Sequence, residues 1–237
     1  MRNKPLILSA IGAYWPGNDA SGPNQSFRAL AQGLSDDFDF HLLARDRPFD
    51  AAQPSAPTAS PAEFPVTYLQ PGKVAPQGLF DAIRQIAPDL LWLNGFFDRE
   101  FTIPLLLARR LGRLPDMPIL LSPRGEFNRG ALMLKTTRKR SYLALAQSTG
   151  LLSGITLHAT NETEAQTIRA MLPGHDRIVI APNIRPLLHA LPHVPDPTLR
   201  VVFLGRISPI KNLAYAIRVL QDVRAPVEFD IHGPIED

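Results

Sequence analysis

At 237 residues, with 45% hydrophobic and 20% charged positions, the chain has the composition of a folded globular protein, with room for one large domain or one and a half ordinary ones. It contains no cysteine, which excludes disulfides and thiolate metal sites and fits a cytoplasmic location. A net charge of +3 mildly favours an anionic partner but is far from a nucleic-acid-binding signature, and no apolar run approaches the roughly 18 residues that span a bilayer.

The N-terminal Met1-Arg2-Asn3-Lys4 leads into a short apolar run at 6–11. It reads as a buried strand rather than a signal peptide, because Gly12 and Trp15-Pro16-Gly17 follow at once. The loop at 12–23 joins it to a helix at 24–34, whose Phe27, Leu30, Ala31 and Leu34 form one apolar stripe. Gly22 in that loop would let the backbone approach a ligand closely. The loop has neither G-x-G-x-x-G spacing nor a Gly-Lys-Ser/Thr ending, which argues against a dehydrogenase and against a P-loop. Asp37-Phe38-Asp39 has the D-x-D form of metal-dependent sugar transferases, but it opens the next strand, 38–44, at the amino end and reads as a solvated turn.

Pro48, Pro54, Pro57, Pro61 and Pro65 mark a long loop before a strand at 66–69. A helix at 78–86, a strand at 90–93, a helix at 100–111 and a strand at 119–121 follow. In an open α/β sheet, ligands collect at the carboxyl ends of the strands. Asn94, just past one strand, and Arg124 and Glu126, in Ser122-Pro123-Arg124-Gly125-Glu126 past another, are therefore expected over one crevice. An arginine there could hold a phosphate or carboxylate through two parallel hydrogen bonds; an Arg124–Glu126 surface ion pair is the plainer alternative.

The helix at 131–147 carries Lys135, Arg138 and Lys139 on one face. This is either a solvated face or a contact with an anionic membrane at roughly 1 kcal/mol per basic residue. The strand at 155–158 ends on His158, placed either to face a ligand or to serve the fold. Asn161 and Glu164 form a capping-box variant for a helix at 162–171, and a strand at 178–181 closes this part.

A second proline cluster, Pro186, Pro192, Pro195 and Pro197, sets a boundary. We read 1–183 as one Rossmann-like domain, 184–198 as a linker and 199–237 as the start of another. The last segment has strands at 201–204 and 227–231 around a helix at 212–223. Ser208 suits an N-cap and Pro209 a first helical position, so Lys211 is expected in the first helical turn, with Arg206 at the preceding strand end. Two cations beside a helix N-terminus suit a dianion such as a diphosphate. The fold class is thus α/β: a doubly wound, Rossmann-like parallel sheet plus the first β-α-β of a second. Two strands and one helix bury too little surface to stand alone, and their open edge is a site for association. No His/Asp/Glu spacing indicates a metal site.

With these residues in view, the chain resembles a retaining glycosyltransferase of the GT-B fold, family 4 or "group 1" type. The resemblance is carried by Ser21-Gly22-Pro23, Ser122-Pro123-Arg124-Gly125, the segment from His158 to Glu164, Ala181-Pro182-Asn183, Gly205-Arg206 with Lys211-Asn212, and His232-Gly233-Pro234-Ile235-Glu236-Asp237. It implies an N-terminal acceptor-binding domain and a C-terminal domain that binds a nucleotide-diphosphate sugar. By the resemblance, Arg206, Lys211, Gly22 and Gly233 belong to the donor diphosphate site. Asn94, Arg124, Glu126 and His158 belong to the acceptor side, for a glycan or a lipid-linked acceptor in polysaccharide biosynthesis. No metal or other cofactor is expected.

The family's donor-side glutamate pair would fall beyond residue 237, and the histidine many members carry near the acceptor is here replaced by Ser122-Pro123-Arg124-Gly125. The catalytic residues are therefore unknown, and the expectation is a portion of a longer transferase, incomplete as this chain alone. Two other readings stand beside it: a non-catalytic acceptor-binding module or half of a split transferase, and a nucleotide-sugar 2-epimerase. The expected location is the cytoplasm, with Lys135, Arg138 and Lys139 offering peripheral contact with the inner face of a membrane.

Overall fold

The computed structural model describes residues 4–18, 21–48, 51, 53, 55, 63–69, 76–128, 136–185, 197–205 and 207–235. The chain divides into two compact units, Met1–Pro186 and Leu187–Asp237.

In the first unit, seven strands form one parallel sheet: β1 (Leu6–Ala10), β2 (Asp39–Arg45), β3 (Val66–Leu69), β4 (Leu90–Asn94), β5 (Ile119–Ser122), β6 (Thr156–Ala159) and β7 (Ile178–Ile180). Their spatial order is β3-β2-β1-β4-β5-β6-β7. The order reverses between β1 and β4, where Leu8 pairs with Leu91 and Ala10 with Leu93. Parallel strands need crossovers, supplied by α1 (Gly22–Gly33), α2 (Pro76–Ile86), α3 (Thr102–Arg110), α4 (Thr136–Ser148) and α5 (Glu162–Met171). The sheet is Rossmann-like, as the alternation of short apolar runs with helical periods implies.

Strand side chains alternate between faces, and the core follows that period. Leu8, Ala10, Leu91 and Leu93 lie in one apolar cluster with Leu79 and Ile83 of α2 and Leu105 and Leu106 of α3. Ile11, Leu42 and Trp92 lie in the other, with Phe27 and Ala31 of α1. Phe27 anchors this second cluster, edge-on to Phe40 and Phe64 at centroid distances of 6.0 and 5.0 Å.

Helix α1 begins two residues earlier than its apolar stripe suggests, because Ser21 adopts extended N-cap geometry and Pro23 falls in the first turn. The expected cap of α5 is half formed. The Asn161 side chain accepts the Glu164 N–H at 2.9 Å, but Glu164 turns its own carboxylate to Thr160 and Gly125 instead of to Asn161. The part of the expected fourth helix at 131–135, with Lys135, lies outside the described residues.

The second unit contains β8 (Leu199–Leu204), α6 (Leu213–Gln221) and β9 (Val227–His232), with β8 and β9 paired in parallel from Leu199–Val227 to Leu204–His232. Here one expectation is corrected. Ser208 and Pro209 open a one-turn 3₁₀ helix, Pro209–Lys211, and Asn212 then takes a left-handed conformation with φ of 52° before α6 starts. Lys211 therefore ends a separate turn and does not sit in the first turn of the following helix. Short 3₁₀ turns of this kind are common at helix entries. No described helix is long and apolar enough to cross a membrane.

Candidate functional site

The carboxyl end of the first sheet gathers most of the polar side chains singled out from the sequence. At the switch point, Asn94 extends from β4, and its Nδ2 donates to Ser9 Oγ at 3.1 Å and to the Ala10 carbonyl at 3.3 Å. These bonds join β1 to β4 where the strand order reverses, the position at which open α/β sheets hold ligands. Asn94 Oδ1 faces the other way and accepts from Arg124 Nε at 2.9 Å.

Arg124 follows β5 with φ of 55°, a left-handed backbone that non-glycine residues seldom adopt. Such conformations persist when the surroundings over-determine them, and they gather at functional sites. Its Nη1 donates to Asn183 Oδ1 at 2.7 Å, and its guanidinium lies 5.5 Å from the Trp92 ring centroid. Asn183, just past β7, also accepts from Ser26 Oγ of α1 at 3.2 Å. Burial pulls the Arg124 guanidinium below its ordinary range, partly offset by Glu164, and it remains a cation at neutral pH.

Glu126 is not paired with Arg124; no ion pair between them occurs among the described residues. Its Oε2 accepts the Phe97 N–H at 3.0 Å. Burial pushes its carboxyl upward, against the lowering effect of the Phe97 and Phe96 N–H groups and of Lys139. Nearby, Asp98 Oδ1 accepts from the Glu100 and Phe101 N–H groups at 2.9 and 2.7 Å, tying the turn into α3, and burial raises it as well.

Of the two readings of His158, facing a ligand on the acceptor side or serving the fold, the hydrogen bonds support the second. Trp92 Nε1 donates to Ser122 Oγ at 2.8 Å, Ser122 Oγ lies 2.9 Å from His158 Nδ1, and His158 Nε2 lies 2.9 Å from the Ala181 carbonyl. An Nε2–H tautomer satisfies the whole series: Ser122 donates to Nδ1, and Nε2 donates to the carbonyl. Both ring nitrogens are spent on holding β4, β5, β6 and the end of β7 together. Burial depresses the imidazole pKa and keeps the ring neutral.

Gly22 opens α1, and its carbonyl accepts from Arg185 Nη1 at 3.1 Å. It lines a cavity of about 510 Å³ together with Arg124, Glu164, Asn183 and Arg185. The sequence reading missed Arg185, Glu164 and Asn183 as site residues. Asn183 stood in a recognised segment, but its bond to Arg124 joins positions 59 apart, a pairing that no local pattern encodes. The loop before Gly22 is held from outside: Arg45 donates from Nε to the Gly12 carbonyl at 2.8 Å and pairs with Glu100 at 3.1 Å. A Cβ at Gly12 would meet that guanidinium at 3.2 Å, so glycine permits the close approach.

Lys139 also departs from its expected place on a solvated basic face. Its Nζ lies 5.1 Å from the Phe97 ring centroid, and its charge acts on Glu126. It belongs with the carboxyl-end cluster, leaving Arg138 exposed.

In the second unit, Arg206 lies outside the described residues. Gly205 and Gly233 follow β8 and β9 with φ of 154° and 152°, both in the range that favours glycine. Parallel pairing continues past them through the Ile207–Ile235 bridge. No group of three or more His, Cys, Asp or Glu side chains suited to a metal ion occurs among the described residues.

An all-parallel sheet with one order reversal and polar side chains over its carboxyl end define a Rossmann-like α/β fold of the GT-B-like kind. Nineteen solved chains show similarity of fold. One of them, a candidate UDP-N-acetylglucosamine 2-epimerase from Listeria monocytogenes, is matched over 96% of this chain and 62% of its own length, with a TM-score of 0.52 and 12% sequence identity. The chain thus spans less than two thirds of that neighbour, and at this identity the likeness concerns the fold. No protein-family description and no curated protein matches the sequence.

Proposed function

We propose that the chain serves a retaining glycosyltransferase that moves a sugar from a nucleotide-diphosphate donor to a glycan or lipid-linked acceptor. Its first unit forms the acceptor side, and Arg206, Lys211 and Gly233 form the donor diphosphate side. The observation that carries this reading is Arg124, a half-buried cation in a left-handed backbone, braced between Asn94 and Asn183 at the carboxyl end of the sheet. The GT-B-like fold supports it. In the proposed reaction no metal is required. Lys211, Arg206 and backbone N–H groups would stabilise the charge that grows on the departing diphosphate, the kind of electrostatic term that dominates many active sites. The proposed location is the cytoplasm.

The fold neighbour favours a second reading, a nucleotide-sugar 2-epimerase. Incubating the chain with uridine- and guanosine-diphosphate sugars in D₂O, with and without glycan acceptors, separates the two. Transfer of the sugar with its anomeric configuration kept supports the transferase; deuterium entering C2 of the nucleotide sugar, without transfer, supports the epimerase. Saturation-transfer NMR detects weak contacts as well. A folded chain that shows no saturation transfer to any nucleotide sugar would sink both readings.

A further inference from the structure

The cavity beside the N-terminus of α1 holds an unbalanced set of charges. Arg124 is half-buried, yet no carboxylate among the described residues lies within ion-pairing distance of it. Its Nε and Nη1 donate to the neutral amide oxygens of Asn94 and Asn183, and its Nη2 makes no bond to a described residue. Glu164, the carboxylate that acts on it from farther off, has both oxygens occupied: Oε1 accepts from the Gly125 N–H at 2.8 Å, and Oε2 from the Thr160 N–H and hydroxyl at 2.8 and 2.6 Å. Arg185 lines the same cavity. Its Nη1 is fixed on the Gly22 carbonyl and on Gln25 Oε1, both at 3.1 Å, while its Nε and Nη2 make no bond to a described residue.

A half-buried guanidinium with no counter-charge at hand favours an anionic partner, and two guanidinium groups anchored through Nη1 with Nη2 left over are arranged to bind one. We propose that this cavity holds an oxyanion group, a phosphate or a carboxylate, borne by the sugar acceptor, with Arg124 and Arg185 as its two cationic contacts. The inference rests on the acceptor-side reading of the first unit. Two arginines against one glutamate leave a single surplus positive charge, which suits one anionic group. Asn128, Asn161 and Thr163 on the cavity wall supply amide and hydroxyl partners for the hydroxyls of a sugar ring.

The test titrates the chain with glucose 6-phosphate, glucuronate, glucose and UDP, by calorimetry or NMR. At least one anionic sugar binds at least about tenfold more tightly than glucose, the size of one charge-assisted hydrogen bond, and its affinity falls as salt rises. The tighter of the two identifies phosphate or carboxylate as the natural group. Arg185 is exposed, so Arg185→Ala keeps the melting temperature and the glucose affinity while weakening the anionic sugar about tenfold. Arg124→Lys weakens it too but disturbs the Asn94 and Asn183 bonds, so Arg185→Ala is the cleaner variant. Equal affinity for glucose and both anionic sugars, or no effect of Arg185→Ala, overturns the proposal. Competition by UDP for the same cavity also overturns it, because the oxyanion would then be the donor's diphosphate, and the nucleotide-sugar reading would stand. Failure of that reading looks different: the sugar anion binds and nucleotide sugars do not.

Discussion

In the first unit, β1 and β4 carry Leu8, Leu91 and Leu93 fully out of solvent; in the second, β8 carries Leu204 at 77% exposure and β9 carries Ile231 at 41%. Yet the two ladders are paired in the same way, parallel and in continuous register. The difference lies in what covers them. Parallel sheets occur almost only with both faces buried, and the first unit meets that condition with helices in two apolar clusters. Among the described residues the second has one α-helix, α6, with no buried residue and with Tyr215, Ile217 and Val219 all exposed. Strand pairing and helix formation are therefore local outcomes of sequence, whereas burial depends on how many layers are present. Chemistry follows the same division: the described side chains with shifted titration all belong to the first unit, where burial moves Asp98, Arg124, Glu126 and His158, and hydrogen bonds move Asp46, Arg47 and Glu164.

The largest predicted effect sets the two units directly against each other. Phe27→Ala removes a fully buried ring that packs against Phe40, Phe64 and Trp92, and should cost about 3–5 kcal/mol. Leu220→Ala, on α6, should cost less than about 1 kcal/mol, because that helix buries nothing fully. Urea denaturation of the full chain, followed by far-ultraviolet circular dichroism, which reads helix and strand in both units, measures both. If Leu220→Ala lowered the main transition as far as Phe27→Ala, the contrast between the units would be wrong.

A smaller effect sharpens the comparison inside the first unit. Ser122→Ala leaves the Trp92 Nε1–H and His158 Nδ1 without their shared partner, at a cost of about 2–3 kcal/mol. The same relay predicts an acid sensitivity. His158 is held neutral with a pKa below its ordinary value of about 6.5, so the unfolded chain takes up its proton first as pH falls. The stability linked to His158 is therefore complete above about pH 6.5 and is lost as pH falls through that value towards the depressed one. Melting temperatures of wild type and His158→Gln measured between pH 8 and pH 5 should converge as the medium becomes acidic. A gap that widened instead would mean the ring is charged in the fold.

Most of the architecture was legible because it is written in short-range patterns. The runs at 66–69 and 162–171 match a strand and a helix residue for residue, and the other strand ends moved by one or two positions. The places where the reading failed are places where distant residues decide. Lys211 was expected in a helix because Ser208-Pro209 is a good helix opening, but the left-handed Asn212 separates that turn from α6. His158 stood open between a ligand and the fold at its strand end, and what decides for the fold, Ser122 and Ala181, lies 36 and 23 positions away. Lys139 looked solvated on a helical wheel, until packing placed Phe97 beneath it. Arg124, Asn94 and Glu126 were legible as neighbours because the carboxyl-end rule for parallel sheets places loop residues without any alignment.

The smallest predicted effect concerns what the buried site costs the first unit. Glu126 has its carboxyl raised chiefly by burial, opposed by the Phe97 and Phe96 N–H groups and by Lys139. A carboxyl whose folded pKa lies above its unfolded value makes the fold least stable at high pH, where the charge must be kept in a poorly solvated place. Stability linked to it is gained as pH falls through the folded pKa towards the ordinary carboxylate range. Glu126→Gln retains an oxygen for the Phe97 N–H and removes the charge, so it should stabilise the chain by up to about 1 kcal/mol at pH 8. Near pH 4 the gain should vanish, since both side chains are then neutral in the folded state. Thermal melts of the two proteins at these pH values decide it. If Glu126→Gln instead destabilises the chain at pH 8, the carboxylate is a structural asset like the Glu164 carboxylate, whose three donors outweigh its burial. A gain in stability joined to a loss of sugar binding would mark Glu126 as a charge retained for the ligand rather than for the fold.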